Sequence, residues 1–504
     1  MSGNRIVIDY PRDLGGTTMT IPEDRTLVFR GDGCIQNGVV VGNNTTVKAE
    51  RKVVFKNVVL NGTFHSIVAY PEWFDAKADC ILDNNNKVIS GTDNINAFRN
   101  LFLFDNISIS SGTYMLSGAL RCLSGQTVEG CNATLKFTGK GVFMHIDGSS
   151  LEAVVNVIIR NLTIIGSKLE YTDITEHWHG VYIGYAKTIK IEDVRCELCR
   201  GDGFYIGTAL SKTKNNRIPE NIELDGVESY YNHRQGLSIT RVRVAKVKNS
   251  EFCYTLGTMP QAGMDIEPNS ITDDSGKLIV GECEDIEISN CLFKGNKREG
   301  LILSNWYCTD SSINIINNVK VTGCRFVDDD LYVSGSKDCN FSNLELVNSN
   351  ISVTGKGIIQ NVKFNDISIE DDNKVSTRNG IELGYTKEWA QRSNIYFENI
   401  SIKGFGGAAI KASYQWPVEN GLLKGVTIKN CKFENCGANV VSGEKALMMT
   451  FCHKVKNIDI NYPVVFLVSM IIVIIVIVIF KKINNRKRIS RVPFRAGLNK
   501  EMLI

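Results

Sequence analysis

Proline is scarce in this chain, 9 among 504 residues, and histidine is scarcer at 6. With 44 glycines, the composition suits many short strands joined by tight turns better than packed helices. An excess of either charge is also missing: 57 Lys and Arg stand against 54 Asp and Glu, a net +3. Even that small excess is local. Residues 481–504 hold eight basic residues and one acid, leaving 49 basic and 53 acidic side chains elsewhere, a net −4. No basic stripe remains to neutralise phosphates, so nucleic acid is not an expected partner. Metal-type cysteine spacing is absent too. The 15 cysteines are scattered and odd in number, and Cys196 and Cys199 (CELC) stand alone as a CxxC. Buried reduced thiols fit this better than a zinc site or a disulfide-built secreted domain. No cofactor or metal is implied, and Ca²⁺ among the surface acids has no specific motif behind it.

The N-terminus, MSGNRIVIDYPRD, lacks the charged start and apolar core of a cleavable signal peptide. Long apolar runs are missing as well, with one exception. Residues 464–480, VVFLVSMIIVIIVIVIF, are seventeen without a charge. As a helix they would span about 26 Å, adequate for a bilayer core. KKINNRKRISR follows, a flank of the kind retained on the cytoplasmic side. A transmembrane helix is therefore expected over 463–480, with a basic cytoplasmic tail over 481–504. That topology puts the preceding domain at the cell surface or another extracytoplasmic place, although nothing N-terminal would export it.

A repeat fills the middle of the chain. Short alternations flank one Asn, Asp or Gly in VIIRNLTI (157–164), IKIEDVRC (189–196), IEISNCLF (286–293), VKFNDISI (362–369), IYFENISI (395–402) and VTIKNCKF (426–433). Each reads as two strands around a corner residue. Between these lie Gly-apolar-any-apolar segments: GVYIG (180–184), GFYIG (203–207), GLSIT (236–240), GMDIE (263–267) and GLILS (300–304). Their starts are 23, 33, 27 and 37 residues apart, one coil of a solenoid with inserted loops. Three short strands per coil and almost no helical period predict an all-β, single-stranded parallel β-helix over 70–460. No coil buries its Val, Ile, Leu and Phe alone; stacking closes the core. Corner asparagines such as Asn249, Asn290, Asn399 and Asn430 tolerate left-handed backbone and can bond along the stack. Residues 1–69 read as an N-terminal β cap, and NINAFRNLF (94–102) as a helix plugging the solenoid end.

PEWFDAKAD (71–79) followed by SSGTYMLSGAL (110–120) resembles the opening of the pectate-lyase-like right-handed β-helix superfamily, which includes polygalacturonases and phage tail spikes. NHRQGLSI (232–239) and QAGMDIEPN (261–269) look like a motif pair of bacterial and phage-associated members. The resemblance covers about residues 70–455 and implies fold more than reaction. The polygalacturonase pattern does not carry over: Asp273–Asp274 lie in a turn-like TDDSGK, and no Gly-His-Gly exists.

With the Gly-containing strands in register, Met264 and Ile266 point inward and Asp265 and Glu267 outward, their Cα atoms about 6.6 Å apart. The outward column is expected to read Tyr182, Tyr205, Ser238, Asp265, Ile302, Tyr332, Ser352, Glu382, Ala409. Tyr182 and Tyr205 would form a ledge for pyranose rings. His179, Asp202, His233, Arg234, Gln235, Arg298 and Glu299 precede these strands. Arg234 and Arg298 are placed to hold a carboxylate ionised or to grip a uronate. Asp265 and Glu267, with Asp202 or Glu299 as a second member, are the candidate catalytic carboxyls. His233, Arg234, Gln235, Arg298, Tyr205, Tyr182 and His179 are the candidate substrate contacts. Inverting glycosidases separate their carboxyls by about 6.5–9.5 Å; a lyase needs a base such as His233 or Arg234. Each acid also has a plain reading as a solvated or ion-paired strand residue.

Three functions follow as expectations. The leading one is a carbohydrate-active protein, a glycosidase or lyase acting on a complex or acidic polysaccharide. The second is a non-catalytic glycan-binding adhesin or tail-spike-like receptor binder, a homotrimer if spike-like. The third is a membrane-tethered structural solenoid.

Overall fold

The computed structural model describes residues 4–446 apart from 150, 173–174, 211–216, 306–315, 356, 373–376, 386–390, 420–421 and 443–444. Two parallel sheets, of 19 and 13 strands, dominate it. The larger sheet covers two faces because its long strands bend at single residues. Val154–Ile165 turns at Asn161 (φ 57°), Ala186–Glu197 at Asp193 (φ 50°), Ile359–Glu370 at Asp366 (φ 57°) and Arg392–Lys403 at Asn399 (φ 57°). Asn and Asp are the non-glycine residues that hold this left-handed backbone most readily. The turned side chains then bond from coil to coil, as Asn399 Nδ2 to Asp366 Oδ1 at 2.9 Å. The smaller sheet is the third face, built from short strands such as Val181–Ile183, Phe204–Ile206, Leu237–Ile239 and Met264–Ile266. The architecture is a parallel β-helix.

Alternation decides what goes inside. Ile189, Ile191, Val194 and Cys196 of one strand are essentially unexposed. Aromatic columns fill the bore: Phe341, Phe364 and Phe397 stack at 4.8 and 4.9 Å between centroids. The 13 described cysteines are free thiols, most of them buried in this core.

Residues 5–65 form a separate six-stranded sheet that is coiled as well, pairing Arg5 with Thr26 and Thr26 with Thr46 in parallel. The helix Ile95–Leu101 sits against its last strand. There Asn100 accepts from the Leu60 N–H at 3.0 Å and donates to the Val58 carbonyl at 2.7 Å, satisfying a strand edge.

The transmembrane helix expected over 463–480 is not borne out. Among the described residues no helix is long and apolar enough to cross a membrane, and the single α-helix there has seven residues. The apolar run itself and the tail 481–504 lie outside the described residues.

The corner between the second and third faces is closed from inside by side chains. Asn232 Oδ1 takes the Cys199 N–H at 2.8 Å, Asn296 Oδ1 the Thr255 N–H at 2.9 Å, and Asp329 Oδ1 the Asn296 N–H at 2.8 Å. Burial pushes the Asp329 carboxyl up to about 8, against the pull of its bonds from Asn296. A raised carboxyl pKa means the folded state holds a proton that the unfolded state has released. Stability from this group is complete below the unfolded value near 4 and is lost as pH rises toward 8. Thermal melts of Asp329→Asn between pH 5 and 9 are expected to show a flatter pH dependence than wild type; parallel curves would contradict this. Separately, Phe364→Ala opens a cavity in the aromatic column and is expected to cost ~3–5 kcal/mol in denaturant unfolding.

Candidate functional site

The third face sets side chains in a line, one per coil. Strand pairing gives the outward column His145, Tyr182, Tyr205, Ser238, Asp265, Ile302, Tyr332, Ser352 and Glu382. Two ends of the column differ from expectation. His145 extends it upstream. Downstream, Glu382 pairs with Lys411, not Ala409, because Ile410 and Ala412 take the inward places. Ala408, Ile410 and Ala412 alternate in one phase, so a two-residue shift along that strand still buries apolar residues.

The upstream rings form a stack. Tyr182 and Tyr205 lie 5.5 Å apart at 19°, and His179 covers Tyr205 at 4.6 Å and 25°. Tyr205 is anchored at its hydroxyl by Thr240 Oγ1 at 2.8 Å and by Asn269 Nδ2 at 3.4 Å.

Behind the rings lies a buried carboxylate. Asp202 is unexposed. Its Oδ2 takes bonds from Arg234 Nη1 at 3.0 Å and Ser238 Oγ at 2.8 Å, and lies 3.3 Å from His179 Nδ1. Burial alone would push this carboxyl up. Arg234, His179 and Ser238 outweigh it and hold Asp202 below its ordinary value.

Two coils on, the environment reverses. Asp265 is 3% exposed, not a solvated strand residue. Gln235 Nε2 donates to its Oδ2 at 2.5 Å, while Oδ1 is buried without a donor among the described residues. Burial, then the neighbouring Glu267 charge, push Asp265 well above the carboxylate range, with Arg234 opposing. Burial raises Glu267 as well, and its carboxyl lies within hydrogen-bonding reach of Asp265. Two carboxyls in such contact cannot both ionise cheaply and share a proton. Asp265 is the covered member and Glu267 the one reaching solvent. Ser238 Oγ lies within donating reach of both Asp202 Oδ2 and Gln235 Oε1, and its single proton serves one of these acceptors at a time, so the hydroxyl sits between the two acids.

The other candidates lie apart. His233 faces away from the acids: its Nε2 meets Thr258 Oγ1 at 2.9 Å on a neighbouring loop. Arg298 is held by Glu299 at 3.8 Å and is half exposed. Neither contributes to the charge balance of Asp265, which draws on Arg234. Glu299 is raised by burial and pairs in register with Asp330, forming a second acidic place that Arg378 joins. Sequence reasoning named Ser238 only as a column member. Its bridging role, and those of Thr240 and Asn269, have no local signature. A shallow cavity of about 410 Å³ on the first face, lined by Ile158, Lys190, Glu223 and Lys246, shares no residue with this cluster. Among the described residues no group of His, Cys, Asp and Glu is arranged to hold a metal.

Residues 141–309, which contain the whole cluster from His145 to Glu299, match the family model described as right handed beta helix region. The fold is a right-handed parallel β-helix. Among solved structures, this β-helix is similar to the bacteriophage Phi29 gene product 12 N-terminal fragment, at TM-score 0.55 and 16% identity over 74% of this chain. It spans 65% of that fragment's length. It is similar to PfbA, a surface adhesin of Streptococcus pneumoniae, at TM-score 0.53 and 12% identity, covering 74% of this chain and 91% of that one. It is also similar to the Azotobacter vinelandii mannuronan C-5 epimerase AlgE6 A-module, at TM-score 0.50 and 14% identity, covering 75% and 96%. No curated protein sequence matches the chain.

Removing the cation tests the electrostatics of the cluster. Arg234→Met leaves Asp202 buried and unpaired by a guanidinium, which is expected to destabilise by ~3–5 kcal/mol. Without Arg234, burial dominates and the Asp202 pKa rises, so the loss should be larger at pH 8 than at pH 5. An equal loss at both pH values in denaturant titrations would contradict the assignment.

Proposed function

We propose that this β-helix acts on a polysaccharide lying along its third face. Glu267 serves as the proton donor, and Asp265 supports it. The observation that carries the reading is the covered Asp265–Glu267 pair two coils beyond a half-buried tyrosine stack. A carboxyl kept protonated by burial is suited to protonating a glycosidic oxygen, and environments that drive two acids apart mark acid and base roles. Stacked tyrosines offer flat faces to sugar rings. Asp202 is too deep to meet a polymer. It fixes Arg234 and is a positioning residue. Similarity in fold to a mannuronan C-5 epimerase is compatible with a glycan ligand but says nothing about the reaction.

A specific observation favours a second reading, a glycan-binding adhesin. Asp265 and Glu267 lie within hydrogen-bonding reach of each other, whereas hydrolases hold their two carboxyls about 5–5.5 Å or 6.5–9.5 Å apart. The pair thus supplies one shared proton and leaves no gap for a water, so hydrolysis would need a second base such as Glu299. PfbA, with a similar fold, is an adhesin.

Incubation with a polysaccharide panel, with products followed by mass spectrometry, separates the two readings. The expected result is chain shortening that Glu267→Gln and Asp265→Asn abolish with little change in melting temperature. Binding without products establishes the adhesin. Because the active form carries the proton, turnover is expected to fall as pH rises through the elevated pKa of the pair. A rate that climbs with pH would contradict the acid role.

A further inference from the structure

The corner joining the second face to the third holds a left-handed residue on most coils. In register, those positions are filled by Gly295 (φ 62°), Asp328 (φ 57°), Asn348 (φ 53°), Gly404 (φ 87°) and Asn435 (φ 52°). Three consecutive coils break the pattern, with Leu198 at φ 53°, Tyr231 at φ 54° and Tyr254 at φ 58°. Bulky side chains are poorly suited to this backbone, and the coils downstream use residues that accept it freely. The two rings lie face to face, 5.2 Å apart at 12°. The next coil makes room for them: a Cβ on Gly295 would meet the Tyr254 ring at 2.8 Å.

Tyr231 is 43% exposed and Tyr254 is partly exposed. Leu169, Leu256 and Met259 are exposed on segments hydrogen-bonded to residues 231–233. Lys168 Nζ ties this surface together, donating to the Tyr231 carbonyl at 2.6 Å and the Leu256 carbonyl at 3.4 Å. Charged groups edge it: the Arg195 guanidinium lies 4.4 Å over the Tyr230 ring and bonds Glu228 at 2.6 Å. A stable protein partner would cover about 800 Å² with 20–30 residues a side. Five apolar side chains are too few for that and suffice for one or two sugar rings, which aromatic faces flanked by charged donors and acceptors bind well.

We propose that Tyr231 and Tyr254 form a second glycan platform, outside the acid cluster, that stacks on pyranose rings of the same polymer. This rests on the polysaccharide reading above. The platform adjoins the site through a single corner: His233 faces its loop, while the next residue, Arg234, faces Asp202.

Affinity electrophoresis of the full chain through gels containing alginate, dextran or xylan tests it. The variants are Tyr231→Asn/Tyr254→Asn, which installs the residue this corner uses elsewhere, and Tyr231→Phe/Tyr254→Phe, which keeps the rings. In whichever gel retards the wild type, the Asn pair is expected to lose at least threefold in retardation with an unchanged or higher melting temperature. The Phe pair should be retarded like wild type. If the Asn pair fails to fold, Tyr231→Asn alone carries the same comparison. Equal retardation of folded Asn variants overturns the platform and leaves the polysaccharide reading standing. Wild type unretarded by all three gels overturns both. Self-association of the wild type that the Asn substitutions abolish in sedimentation would assign the patch to a second copy of the chain and overturn the proposal.

Discussion

Each coil must turn its corners without losing the hydrogen bonds to the coils on either side. Parallel strands stack at about 4.8 Å, so any corner that bulges on one coil misaligns its neighbours. A single left-handed residue solves this, and the bends at Asn161, Asp193, Asp366 and Asn399 repeat it along the chain. The side chains released at the bends then bond along the stack, and the Asn232, Asn296 and Asp329 bonds close the remaining corner from inside. Register is thereby fixed over hundreds of residues, and residues as distant as His145 and Glu382 come to share one line.

That line is electrically uneven. At Asp202 a guanidinium, an imidazole and a hydroxyl overcome burial and keep the acid charged. At Asp265 burial and a second acid overcome the same guanidinium and push the carboxyl well above the ordinary carboxylate range. Ser238 and Gln235 occupy the coil between the two acids, Ser238 within reach of Asp202 and Gln235 donating to Asp265. A surface strand of an ordinary solenoid has no need of such an arrangement. Its burial beneath a tyrosine stack is why a chemical role is proposed here, and the contact between Asp265 and Glu267 is why a binding role stays in view.

Much of the fold was legible in local sequence, because period-two alternation and corner asparagines state their own structure. The Gly-apolar motif located the third-face strands and gave the column correctly from Tyr182 to Glu382. It slipped by two residues at Lys411, where Ala408, Ile410 and Ala412 let either register bury apolar side chains. The site was legible as a neighbourhood and not as a geometry. Arg234, Gln235 and Asp265 meet, but His233 and Arg298 turn away, since side-chain direction at a loop residue depends on packing from other coils. Burial was misjudged for the same reason: Asp265 alternates outward along its strand, yet Gln235, Ser238 and Glu267 cover it. The apolar run at 464–480 gave a membrane helix that no described residue supports.

The account turns on a proton held between Asp265 and Glu267 at neutral pH. Carbon-13 NMR of the side-chain carboxyls, with Glu267→Gln used to assign the pair, measures it directly. The account predicts that one carboxyl of the pair titrates well above the ordinary carboxylate range and that its pKa changes when Glu267 is replaced. Two carboxyls that both ionise near 4 and ignore each other would contradict it.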